Sequence, residues 1–477
     1  MVRCFTSGKR AIVTDADADP DADAGSGWTP DDLSAATDES VDHLAELADD
    51  GLLVRRADGR YDTDSLNRVQ LIRFVRDRGI DHAQLAAAVS AQGDLLGVFD
   101  GLSTVQPTHM TLKQAASEAG LSPDLMTELI EILGWDVDAM ASSEDVDALG
   151  LFVQAVSTGL EREPLLQLIR VYADLLDRLA DAEVRIFHEY VHEQFRAEGL
   201  SGPELLKATE SLGKPLLELV EPAVLYFHRR AWQRVNAEDL LRHLMEETTP
   251  STPTPGETVA TVLFIDLAGF TPLTVAMGDA AAADVLGRFG AMVRASAGEN
   301  SGRIVKQIGD AFMLTFTQAS DAIDFGLDIA QRVTEESQFP SVHIGAHTGT
   351  VLFREGDYVG GAVNLAARVA SAGGAGQFLI TEAVQTAAVE VSDAEFTALP
   401  ARTLKGIADP VDLIDVRPKG DLGRQDQRDP VCGMRLDPAD VATVTQWQGR
   451  SYSFCSQECA DIFAEAPERY VGKESQR

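Results

Sequence analysis

From Trp28 the chain places apolar residues three and four apart. WTPDDLSAATDESVDHLAELADDGLL therefore predicts two short helices with a turn between them. After Gly51, LLVRRADGRYDTDSL predicts a small β-hairpin or wing, and LNRVQLIRFVRDRGI a further helix. The pattern restarts at Met110 with MTLKQAASEAGLSPDLMTELIEILGW, then SEDVDALGLFVQAVSTGL. Thr29 corresponds to Thr111, Leu47 to Leu129 and Gly79 to Gly159, an offset of about eighty residues. Residues 28–163 are thus read as a repeat of two helix-turn-helix-like units.

Residues 164–247 keep a helical period almost without loop signals, with breaks expected around Gly199–Gly202 and Pro222. TTPSTPTPGE, rich in Pro and Thr, predicts a linker that closes a helical transducer over 164–250. A helix ending directly before a new domain is placed to transmit a change of state. At Thr258 the period becomes strand-like. TVATVLFIDLAGFTPL predicts a buried strand running into a glycine-containing loop and a helix, and AAAADVLGRFGAMVRASAGEN a second helix. GRIVKQIGDAFMLTF predicts two strands joined by a tight turn at Gly309-Asp310.

At 477 residues the chain exceeds one compact core, so three or more domains are expected. Apolar residues are 45% of it and the mean hydropathy is −0.06, a globular composition. No apolar run reaches the length of a membrane-spanning helix. The start, MVRCFTSGKRAIV, lacks the apolar core and cleavage site of a secretory signal, so a cytoplasmic location is expected. A net charge of −36 repels phosphate backbones and anionic lipid, which argues against a nucleic-acid partner. TDADADPDADAGS has almost nothing apolar to bury, so residues 1–27 are read as a disordered acidic tail.

Chemistry concentrates after the linker. Asp266 ends a predicted strand and Asp310 sits at a hairpin tip; strands lying side by side would bring the two together. Paired carboxylates suit two hard divalent ions, Mg²⁺ or Mn²⁺, and two ions suit in-line displacement at phosphorus. FIDLAGFT, VKQIGDAFM and DYVGGAVNLAARV resemble the motif set of class III adenylate and guanylate cyclases over residues 257–418. Asp266 and Asp310 are 44 residues apart, Lys306 precedes Asp310 by four, Asn364 precedes Arg368 by four, and Asp357 precedes Asn364 by seven.

The resemblance implies an α+β ferredoxin-like domain with Asp266 and Asp310 as metal ligands. It implies that Asn364 orients the ribose and that Arg368 neutralises charge on the α-phosphate in the transition state. Lys306 and Asp357 resemble the base-reading pair. Lysine only donates and an ionised aspartate only accepts, which matches N1 and the N6 amine of adenine and points to ATP. Lys405 in TLKG resembles a triphosphate contact, and backbone amides around Ala268, Gly269 and Phe270 can cradle phosphate. A full set in one chain implies a symmetric homodimer with two equivalent sites, regulated by the N-terminal region.

The alternative is an ATP-sensing, DNA-binding regulator, because both N-terminal units resemble the winged helix of MerR-type proteins through GLLVRRADGRYDTDSL and FVRDRGI. Asp31, Asp32, Asp38, Glu39, Asp42 and Glu46 would face phosphates badly, which favours protein interaction over DNA contact.

Histidines and cysteines add smaller signals. His188-Glu189-Tyr190-Val191-His192 fits H-E-x-x-H, the helix pattern of zinc peptidases, but no third ligand follows it. His188, His192, His228 and His243 together can titrate near neutral pH. His343 and His347 fall on a predicted strand, where packing is expected. Three of the four cysteines, Cys432, Cys455 and Cys459, lie in the last fifty residues, which is not a disulfide framework. DPVCGM, SYSFCSQEC and a closing F-x₆-Y resemble the YHS domain over 429–472, with Tyr452-Ser453-Phe454 altering the name-giving tripeptide. Three thiolates suit Zn²⁺ or Cu⁺, and the pattern supplies no fourth ligand. The whole is therefore read as multidomain: helical N-terminal region, α+β cyclase domain, and small α+β module.

Overall fold

The computed structural model describes residues 27–99, 107–246, 256–420 and 428–471, except 139, 337–338, 389–390, 392, 435 and 437–440. The acidic tail, up to residue 26, and most of the TTPSTPTPGE linker lie outside the described residues. The chain divides into two compact units, 1–235 and 236–477.

The repeat in the first unit is written in its helix caps. Helices α1 (Pro30–Thr37) and α2 (Val41–Asp49) start at Thr29 and Ser40, whose hydroxyls accept from Asp32 and His43 amides. After α3 (Ser65–Asp77), α4 (His82–Gln92) and strand β1 (Pro107–Thr111), helices α5 (Leu112–Ala119) and α6 (Pro123–Leu133) start at Thr111 and Ser122 in the same way. Each such cap contributes about 1 kcal/mol by pairing an orphan helix amide. Each unit has its own core: Leu33, Leu44 and Leu47 in the first, Ala115, Leu125 and Leu129 in the second. The second closes with strand β2 (Met140–Ser142), paired to β1, and helix α7 (Ser143–Ser157). The predicted wing at 52–64 forms only as a turn closed by isolated bridges of Tyr61 to Trp28 and Arg55.

Helix α8 (Arg162–Phe187) runs into a π-helical turn, His188–His192, then α9 (Glu193–Ala197). The expected break follows at Gly199–Gly202, both with positive φ. The second expected break does not occur: α10 (Gly202–Glu246) runs unbroken through Pro215 and Pro222. Each proline leaves one carbonyl unpaired four residues earlier. Those carbonyls belong to Ser211 and Glu218, both exposed residues, where solvent can take the place of the missing amide and the helix continues.

The second unit is built on strand β3 (Glu257–Leu267), followed by α11 (Phe270–Met277), α12 (Asp279–Glu299), the hairpin β4 (Arg303–Ile308) and β5 (Ala311–Phe316), α13 (Ala319–Glu335) and β6 (Val342–Arg354). Strand order β4-β5-β3-β6 gives the βαββαβ topology of a ferredoxin-like core. Beyond it come β7 (Asp357–Val359), α14 (Gly361–Ala372), β8 (Phe378–Thr381), α15 (Glu382–Ala387), β9 (Ala394–Ala398) and β10 (Leu413–Pro418). Strand β3 is buried on both faces. Leu263, Ile265 and Leu267 join the core with Phe289 and Phe325 of α12 and α13, while Ala260 and Val262 join Ala362 and Ala366 of α14.

In the tail, β11 (Thr443–Trp447) and β12 (Arg450–Phe454) form a hairpin whose turn residues, Gln448 and Gly449, both have positive φ. Helices α16 (Gln457–Glu465) and α17 (Glu468–Val471) follow. Val431, Met434, Phe454 and Phe463 belong to the same buried cluster as Leu273 and Val342, so the tail shares a core with the domain before it.

Candidate functional site

Asp266 is the penultimate residue of β3, opposite His343 on β6. Asp310 follows Gly309 (φ 63°) in the β4–β5 turn. Because β5 pairs with β3 through Ile265 and Phe312, the hairpin tip lies beside the end of β3, close enough for the Asp310 charge to act on Asp266. Burial pushes the Asp266 carboxyl up to about 7, and the Asp310 charge adds to the shift. Burial also raises Asp310, with His343 pulling the other way. Asp266 Oδ1 is buried and has no hydrogen-bond partner among the described residues. Two half-buried carboxylates that repel each other, one with an orphaned oxygen, fit hard divalent cations, which would relieve both repulsion and desolvation.

Lys306 and Asp357 form an ion pair linking β4 to β7. An irregularity between Ile304 and Lys306 sets Lys306 opposite Met313, and Asp357 Oδ1 also accepts from the Tyr358 amide at 2.8 Å. Asn364 and Arg368 lie one turn apart on the exposed face of α14. The opposite face, Ala362, Val363, Ala366, Val369 and Ala370, is buried. Gly345 permits that packing, since a Cβ there would lie 2.0 Å from the Ala370 nitrogen. Among the described residues, neither the Asn364 nor the Arg368 side chain has a hydrogen-bond or ion-pair partner.

Lys405 is exposed in the turn after buried Leu404 and forms no hydrogen bond or ion pair with the other six side chains among the described residues. Gly269, in a left-handed conformation, caps α11 ahead of half-buried Phe270. The phosphate cradle is smaller than expected. The Ala268 amide already donates to the Ser341 carbonyl at 2.7 Å, which leaves the Gly269 and Phe270 amides. His347 packs as expected, bonding Thr381 Oγ1 at 2.8 Å through Nδ1, with its pKa lowered by burial.

In the tail, Cys432 and Cys455 Sγ are 3.5 Å apart and Cys455 and Cys459 Sγ 3.7 Å, all as free thiols. Sequence reasoning missed a fourth member. The Asp429 carboxylate lies within 4.8 Å of all three sulfurs. The D-x-x-C spacing of DPVCGM was the available signal, because a four-residue turn puts its first and last side chains on one side.

His188, His192 and Glu193 also cluster, with the imidazoles stacked at 5.1 Å. The π-turn brings Glu193 to them, whereas the peptidase pattern needs Glu189 as base, so that reading loses its geometry. His228 is exposed on α10, and the His243 side chain lies outside the described residues.

Residues 254–411 match the family model "Adenylate and Guanylate cyclase catalytic domain", and residues 428–474 match "YHS domain". The second unit therefore contains a class III nucleotide cyclase catalytic domain followed by a YHS domain. The pH-sensitive adenylate cyclase MT1302 of Mycobacterium tuberculosis is 25% identical over 399 residues, 79% of this chain and 94% of its own length. The uncharacterized protein Rv2212 of the same species is 29% identical over 324 residues, 65% of this chain and 81% of its own. Among solved structures, the adenylyl cyclase CyaB from P. aeruginosa overlaps 35% of this chain and 98% of its own, at 24% identity and a TM-score of 0.31. No described helix is long and apolar enough to cross a membrane.

Proposed function

We propose that the chain is a cytoplasmic adenylate cyclase, converting ATP to 3′,5′-cyclic AMP and diphosphate at sites shared between two copies, under control of its N-terminal region. The observation that carries this reading is the Lys306–Asp357 ion pair, set in the same sheet as the Asp266–Asp310 pair. In this reading Lys306 donates to adenine N1 and Asp357 accepts from the N6 amine; guanine presents the opposite polarity at both positions. Asp266 and Asp310 are the residues that would hold two divalent ions, and these would supply positive charge to the triphosphate and acidify the ribose 3′-hydroxyl.

The Gly269 and Phe270 amides face phosphate oxygens at the start of α11. Asn364 fixes the ribose so that its 3′-oxygen lies in line with the α-phosphorus. The new O3′–Pα bond forms as the bond from Pα to the diphosphate oxygen breaks, the diphosphate leaves with that electron pair, and the 3′-hydroxyl proton passes to solvent water. Arg368 donates to the equatorial oxygens where charge builds up. Asn364 and Arg368 point to solvent and bond to nothing within the described chain, which supports their serving the carboxylates of a second copy.

The test is to incubate the purified chain with ATP and Mn²⁺ and assay cyclic AMP, beside Asp310→Ala and a GTP control. Cyclic AMP from the parent only, with little product from GTP, is expected. No product from either nucleotide would overturn the reading, and equal use of both would overturn its base-reading part. Deleting the chain before residue 252 tests the regulatory role: unchanged activity and unchanged pH response would remove it.

A further inference from the structure

We propose that Asp429, Cys432, Cys455 and Cys459 form a zinc site whose occupancy sets the rigidity of the loop that carries Asp266. The coupling to catalysis rests on the cyclase reading; the site and its mechanical link do not.

The geometry of the thiols suits a tetrahedral ion. Zinc–sulfur bonds of about 2.3 Å require sulfurs about 3.8 Å apart along each edge of the tetrahedron. The observed separations are 3.5 and 3.7 Å. A disulfide would need about 2.0 Å. Asp429 closes the fourth side and also braces the site. Its Oδ1 accepts from the Val431 and Cys432 amides at 2.8 and 3.3 Å, and its Oδ2 accepts from the Cys455 amide at 2.8 Å. Two carboxylate oxygens offer about four lone-pair directions, so one remains for an ion. The carboxylate is 1% exposed, and a buried anion among thiols is costly without a cation.

The link to the active site is made of backbone. Gly269 and Gly433 interlock: a Cβ on Gly269 would lie 3.0 Å from the Cys432 carbonyl, and one on Gly433 would lie 2.9 Å from the Ala268 carbonyl. Both glycines have positive φ, 73° and 72°. Pro340 bridges to Met434, and the Ser341 hydroxyl donates to the Gly433 carbonyl at 3.3 Å. The Ser341 carbonyl in turn holds the Ala268 amide. The segment from Asp266 to Phe270 is thus clamped between residues 340–341 and the turn that carries Cys432. Fixing that turn by a bound ion removes freedom from one wall of the clamp; releasing it lets Ala268 and Gly269 move, and Asp266 with them.

The experiment uses the full chain, reduced and stripped of metal, then titrated with Zn²⁺ or with Cu⁺. Three readouts are needed: metal bound per chain, alkylation of the three cysteines, and amide hydrogen exchange of peptides covering 266–273. The inference expects one zinc per chain, protection of Cys432, Cys455 and Cys459, and exchange in 266–273 slowed by about tenfold. A Cys455→Ser/Cys459→Ser chain should lose all three effects; the stripped parent provides the same comparison if that variant folds poorly. Failure to bind zinc, or protection by Cu⁺ alone, overturns the zinc site. Zinc bound at the cysteines with unchanged exchange in 266–273 overturns the link. Slowed exchange in a chain that makes no cyclic nucleotide would overturn the cyclase reading and leave this one standing.

Discussion

The two halves of the candidate active site are built in opposite ways. Asp266 and Asp310 sit at the end of β3 and the neighbouring hairpin tip, partly desolvated and repelling each other, with an Asp266 oxygen that has no partner among the described residues. Asn364 and Arg368 ride on the outer face of a helix whose inner face is wholly apolar, and both are exposed. The first half stores unfavourable electrostatics that a cation would relieve. The second costs the folded chain nothing and waits for a surface to face. Under the proposed function a single copy carries two different half-sites, and removing a residue from either half should abolish the same reaction while affecting stability differently.

Arg368→Ala sharpens this contrast most. We expect activity to fall by about 10²–10³-fold, the cost of losing one donor to transition-state charge, with no change in melting temperature. A large loss of stability would mean that the residue packs within its own chain. Lys306→Ala should reduce the preference for ATP over GTP by about tenfold or more, since the site would no longer reject the wrong hydrogen-bond polarity. Rates with both nucleotides measure this directly.

Asp266→Asn breaks the contrast from the other side. The folded carboxyl titrates near 7, above its ordinary 3.8, so the folded chain keeps a proton that the unfolded chain has released between those values. The stability this group contributes is complete below about pH 4 and is lost as pH rises through about 7. Without metal, the asparagine variant should therefore melt higher than the parent at pH 8, by roughly 2–4 °C, with the gap closing towards pH 5. Calorimetry at the two pH values checks the sign. Lys405→Ala should have the smallest effect, a rise in KM of less than about tenfold with kcat unchanged, because the side chain stands alone in an exposed turn.

Local order was legible in the sequence where a local rule determined it. A nearly continuous apolar run identified β3, the Gly309-Asp310 pair fixed a hairpin tip, and Thr29 and Thr111 marked equivalent helix starts eighty-two residues apart. What was misread depended on surroundings that no local pattern contains. Pro222 did not break α10 because the residue whose carbonyl it leaves unpaired is exposed to water. The H-E-x-x-H helix widened into a π-turn and turned Glu193, not Glu189, towards the histidines. The Ala268 amide was lost to the phosphate cradle by a partner seventy-three residues away, Ser341. The docking of the tail turn onto the loop after Asp266 joins residues that share no period at all, and only packing reveals it.

The most direct test of the two-half account mixes two inactive chains. Asp310→Ala lacks one half and Arg368→Ala the other; each alone should make almost no cyclic AMP. After dissociation and reassembly in equal amounts, half of the dimers pair one variant with the other, and each of those holds one intact site. Activity should return to about a quarter of the parent's. If the parent is active and the mixture stays as inactive as its components, both halves belong to the same copy, and the shared-site account is wrong.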